Sequence, residues 1–96
     1  MDTQRAFANV RTTLATIEAL QPEEGRASVT GTTLVWKHTD GSAWYVSYQH
    51  DGAKTLRVLQ RDGGADGSLS TAYTTPLTTD AAITAHLRAL LVSVLG

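Results

Sequence analysis

The 96-residue chain is 42% hydrophobic and 18% charged, with a formal net charge of −1 and no cysteine, the make-up of one globular domain with a single core. That charge removes bulk electrostatics as a reason to bind nucleic acid or anionic lipid, leaving only a local patch for such work, and the absence of thiols excludes disulfides and thiolate metal sites. No apolar run approaches the ~20 residues needed to cross a bilayer, and residues 1–5 lack the pattern of a signal peptide, so the expected location is cytoplasmic. Two lysines against six arginines, with abundant Ala, Thr and Gly, match the coding bias of a high-GC bacterium or its phages.

The first element reads as a helix from about Thr3 to Leu20. Phe7, Val10, Leu14 and Ile17 recur at three-four spacing, widened by Ala6 and Leu20, and Asp2 or Thr3 can cap the first turn. Pro22 stops it, since proline disfavours helical geometry in the residue before it. Residues 26–31 follow as a short edge strand. Strands at about 32–38, 43–49 and 54–61 are rich in β-branched and aromatic residues. The glycine-rich stretch from Arg61 to Ser68 reads as loop, and Leu69 to Thr74 alternates as a further strand with Leu69, Thr71 and Tyr73 on one side. Thr78 or Thr79 caps a last helix with Asp80 in its first turn, and Ile83, Leu87, Leu90 and Val94 form its stripe, flanked by His86, Leu91 and Leu95.

Two Asp-Gly turns set a register. A three-residue turn at Thr39-Asp40-Gly41 makes His38 face Ser42, Trp36 face Trp44 and Leu34 face Val46. A second at His50-Asp51-Gly52 puts Val46 opposite Leu56 and Trp44 opposite Val58. Both turns load one face with Leu34, Trp36, Trp44, Val46, Leu56 and Val58. The expected fold class is therefore α+β: an antiparallel β-meander of three to five strands in one domain, residues 1–96, with the N-terminal and C-terminal helices packed on that face.

No residue set carries chemistry. His38, His50 and His86 lack the i, i+4 spacing and accompanying carboxylates of a helical metal site. Asp40, Asp51, Asp62 and Asp66 each precede glycine, as turn geometry demands, without the alternating ligands of a calcium loop. Residues 63–68 lack the lysine and following helix of a phosphate loop, and no serine sits in a nucleophile elbow. The chain reads as a non-enzyme with neither cofactor nor metal.

The second sheet face is the candidate surface. The two turns group Val35, Tyr45 and Arg57 in one row, Lys37, Ala43 and Leu59 in another, and Thr33, Ser47 and Thr55 in a third. An ordinary solvated face would have Tyr45 and Arg57 merely stacking across strands. A partner-binding face built on Val35, Lys37, Tyr45, Arg57 and Leu59 accounts for the concentration of exposed apolar groups. The broad apolar arc of the last helix offers a second surface, used either in core packing or in homodimer formation.

The order helix, three strands, helix is similar to double-stranded RNA-binding domains, which place a lysine cluster at the start of the final helix. Here Thr78-Thr79-Asp80-Ala81 stands there, so that function does not carry over. The run Trp44-Tyr45-Val46-Ser47-Tyr48, with Leu56-Arg57-Val58 and Thr79-Asp80-Ala81-Ala82-Ile83, resembles the arm-type DNA-binding module of phage integrases. In that family a three-stranded sheet backed by a helix enters the major groove, and the resemblance implies that Lys37, Tyr45, Arg57 and Arg61 face it. The family is usually more basic and lacks the insertion at residues 63–68. The leading expectation is a non-catalytic protein-interaction module, self-associating as a homodimer or binding another protein. The alternative is nucleic-acid binding through the open sheet face. No membrane role is expected.

Overall fold

The computed structural model describes residues 1–96. Helix α1 (Thr3–Leu20) is followed by β1 (Arg26–Thr30), β2 (Thr33–Lys37), β3 (Ala43–His50), β4 (Leu56–Gly63), β5 (Leu69–Tyr73) and helix α2 (Asp80–Leu95). The five strands form one antiparallel sheet in chain order, β1-β2-β3-β4-β5. This is the expected α+β meander flanked by two helices, with the edge strand at residues 26–30 present.

The caps explain both helix starts. Asp2 accepts hydrogen bonds from the Gln4 and Arg5 amides at the head of α1, and Thr79 accepts one from Ala82 at the head of α2, satisfying donors that have no partner within the helix. Ala6, Phe7, Val10, Leu14 and Ile17 of α1 and Ile83, Leu87, Leu90 and Val94 of α2 are buried. They join Ala27, Leu34, Val46, Tyr48, Leu56 and Val58 of the sheet in one core. Leu91 and Leu95 pack partly against it, so much of the broad apolar arc of α2 is taken up in folding.

The first turn closes as its sequence requires. His38 donates to the Ser42 carbonyl at 2.9 Å, and Gly41 takes φ 93°, a region closed to most residues with a Cβ. Trp36 faces Trp44, Val35 faces Tyr45 and Leu34 faces Val46. The second turn differs. His50 pairs with Leu56, and residues 51–55 form a longer loop closed by the Asp51 amide on the Thr55 carbonyl. Val46 consequently faces Gln60 rather than Leu56, and Trp44 faces Asp62 rather than Val58. Lys54 supplies the physical reason. A three-residue turn would have set it opposite Tyr48 on the helix-covered face, where an unpaired ammonium is costly; the longer loop leaves it exposed.

The displacement is an even number of residues, so every β4 side chain keeps its face and only its neighbours change. The strand also runs further than expected, through Arg61, Asp62 and Gly63, and the connecting loop shrinks to residues 64–68.

Candidate functional site

Alternation along the observed ladders assigns the face away from the helices. Across the sheet its rows read Arg26–Lys37–Ala43–Gly63–Leu69, Ser28–Val35–Tyr45–Arg61–Thr71 and Thr30–Thr33–Ser47–Leu59–Tyr73, with Arg57 opposite Gln49 at one end. The expected row of Val35, Tyr45 and Arg57 is therefore corrected: Arg61 takes the place beside Tyr45, and Arg57 lies four residues along the strand, opposite Gln49. Leu59 moves likewise from beside Ala43 to beside Ser47, and Thr55 leaves the ladder for the loop. Val35, Tyr45 and Leu59 are half-buried at the centre of the face, and Lys37 is exposed at its rim.

Charge is segregated on this sheet. Arg26, Lys37, Arg57 and Arg61 supply four of the chain's eight Lys and Arg, and none of its nine Asp and Glu lies on a strand position of this face. The single neighbouring acid is Asp51 in the adjoining loop, which accepts from Arg57 Nε and ion-pairs with its Nη2, each at 3.2 Å. Arg57 is further engaged over the Tyr73 ring, 5.9 Å from its centroid. Arg26, Lys37 and Arg61 have no such carboxylate partner.

The face is not flat. Thr33 and Ser47 are short side chains in the central row, and Thr33 Oγ1 lies 2.9 Å from Ser47 Oγ. The longer Tyr45, Gln49, Leu59 and Arg61 stand around them, leaving a shallow dip of about 230 Å³. Its wall offers an aromatic ring, an aliphatic group, an amide and a guanidinium around a polar floor. Such a dip can seat one planar or apolar group and fix a negative charge beside it.

A second concavity was not legible in the sequence. The β3–β4 register leaves Trp44 beside Asp62 at the end of the sheet, where the core thins out. Trp36 and Trp44 meet edge to face, with ring centroids 6.4 Å apart, and are only half-buried. With His38, Gln60, Asp62 and Ser93 they border an open groove of about 490 Å³. His38 stacks on Trp36 at 4.4 Å, and Trp36 Nε1 donates to the Glu24 carbonyl at 2.7 Å. The groove is thus held by packing and a backbone hydrogen bond.

Two further carboxylates shape turns. Asp40 accepts from the Ser42 hydroxyl at 2.7 Å and from its amide at 2.9 Å, and these bonds lower its pKa. Asp66 is lowered in the same way by Ser68. Both are turn-forming carboxylates. His50 packs on Phe7, with ring centroids 4.4 Å apart. No group of three His, Asp or Glu side chains gathers where it could hold a metal ion, and no helix is long and apolar enough to cross a membrane. Comparison with protein-family models, curated proteins and solved structures returns no match.

Proposed function

We propose that the chain is a non-catalytic interaction module whose working surface is the open face of the sheet. The observation that carries this reading is the segregation of Arg26, Lys37, Arg57 and Arg61 onto one face whose strand positions carry no carboxylate, Asp51 of the adjoining loop meeting Arg57 alone, around a dip lined by Tyr45, Leu59 and Arg61. A protein segment carrying acidic side chains beside an apolar or aromatic anchor complements that pattern in charge and shape. Two-dimensional NMR of the folded protein, titrated with a peptide library of acidic-aromatic composition, tests it. Shifts confined to the open face, with Tyr45, Ser47, Leu59 and Arg61 among them, support the reading, and shifts elsewhere or nowhere remove it.

Nucleic acid is the second reading, and the interleaving of Tyr45 and Tyr73 with arginines favours it, because bases stack on such rings while guanidinium groups meet phosphates. It predicts that a fluorescent oligonucleotide binds at low salt, and that Arg61→Ala or Lys37→Ala each reduce the salt slope by about one. No anisotropy change with either single strand or duplex at low salt ends that reading.

A further inference from the structure

The two edges of the sheet are treated differently. On β1 the backbone groups that point away from the sheet belong to Ala27 and Val29, and α1 with its C-cap residue Gln21 satisfies three of them. The Gln21 amide lies across Ala27, accepting from its N–H at 2.8 Å and donating to its carbonyl at 2.8 Å. Glu18 Oε2 accepts from the Val29 N–H at 2.8 Å. That edge is closed to another strand.

On β5 nothing comparable occurs. Thr74 donates to the Val58 carbonyl, so by the alternation of an antiparallel ladder the even residues of β5 face β4, and Leu69, Thr71 and Tyr73 direct their N–H and C=O outward. No side chain hydrogen-bonds to those groups. β5 has none of the usual deterrents of an edge, neither charge nor proline within Leu69-Ser70-Thr71-Ala72-Tyr73. All five residues are exposed, Leu69 at 59% and Tyr73 at 60%, so the helix layer does not overhang the strand.

We infer that β5 pairs antiparallel with β5 of a second copy about a two-fold axis at Thr71. The occupant follows from the strand's own symmetry. With Thr71 opposite Thr71, Leu69 falls opposite Tyr73 and Ser70 opposite Ala72, an aliphatic-aromatic pair on each side of a central threonine pair. The outward residues are the ones brought into hydrogen-bonded pairing, so Leu69, Thr71 and Tyr73 exchange N–H···O=C bonds with Tyr73, Thr71 and Leu69 of the copy. The interface is isologous and lies below the ~1,200 Å² of standard complexes, which places the dimer among weak, reversible ones. Both open faces come to lie on one side of a ten-stranded sheet. The inference is independent of what those faces bind.

Sedimentation velocity across a concentration series, with amide hydrogen exchange, tests it on the full chain. The expected result is a monomer-dimer equilibrium in which the Leu69, Thr71 and Tyr73 amides slow by about tenfold or more as dimer forms. Thr71→Pro removes an outward N–H and no ladder bond to β4, a substitution an edge strand accommodates; it abolishes the dimer and leaves the far-UV spectrum unchanged. Thr71→Lys, which sets two ammonium groups face to face at the axis, abolishes it as well and decides the matter alone should the proline variant not fold. A strict monomer up to millimolar concentration, a dimer that survives these substitutions, or growth beyond the dimer would overturn the inference.

Discussion

Tyr48 brings a hydroxyl into the core with 1% of its surface exposed. Its oxygen lies 2.9 Å from Nδ1 of the half-buried His86 on α2, and no buried side-chain nitrogen or oxygen is left without a partner. Tyr48→Phe strands the imidazole nitrogen and is expected to cost about 1–2 kcal/mol in urea denaturation. Burial also shifts both groups. It lowers the His86 pKa from 6.5, so the unfolded chain takes up a proton near that pH while the folded one resists it. Stability is full above pH ~6.5 and declines as the pH falls below it, and His86→Gln flattens that limb of a melting-temperature profile. Burial raises the Tyr48 pKa above 10. The unfolded chain therefore loses the phenolic proton first, and stability also declines as the pH rises past ~10, a limb that Tyr48→Phe removes.

At the scale of the elements, the segment between α1 and β1 carries unusual conformational demands. Gln21 ends α1 at φ 62°, ψ 143°, a region that residues other than glycine rarely enter, and its amide offsets the strain by bonding Glu18 and Ala27. Gln21→Ala is expected to cost about 2 kcal/mol by loss of those bonds, and Gln21→Gly roughly 1 kcal/mol less than alanine because the backbone relaxes. Gly25 at φ 84° leaves no room for a Cβ against the Lys37 carbonyl. Gly25→Ala is expected to cost more than ~2 kcal/mol by thermal melting.

The same elements show what the sequence could convey. Both helices are readable because cap, stripe and stop coincide at Asp2, Ile17 and Pro22, and at Thr79 and Ile83. Thr39-Asp40-Gly41 leaves one register open. His50-Asp51-Gly52 presents the same local signal, with Gly52 again at positive φ, yet the choice there depends on burial of Lys54 and Tyr48, which is settled by α2 far along the chain. The face of every strand survives that error and the cross-strand neighbours do not. Arg26, Leu69 and Tyr73 of the open face depend on two further turns, at Gly31-Thr32 and at Ala65-Asp66-Gly67, where Gly31 and Gly67 take positive φ and the Gly64 amide donates to the Ser68 carbonyl; the second lies in a stretch so rich in glycine that it reads as loop.

For the molecule as a whole, net charge is a poor guide to behaviour. A pI near 6.2 and a charge of −1 predict no affinity for a cation exchanger at neutral pH. The face, whose strand positions carry no acid, predicts weak retention at about 0.1 M salt, where a Debye length of ~10 Å lets a patch act by its local potential instead of the net charge. Arg61→Ala and Lys37→Ala should each elute earlier, and Arg88→Ala, on the other side of the molecule, should change elution less. Equal shifts for all three would show that the face has no special potential.

The Gln21 and Glu18 side chains, laid along one border of the sheet, have a consequence for aggregation. A pleated layer open at both borders can add copies without limit, which is the route to fibrils. Here one border is stoppered from within the same chain, so any lateral addition at the other ends after a single step. Loosening that stopper, as Gln21→Ala with Glu18→Ala would, should turn a finite assembly into one that thickens on storage and binds thioflavin.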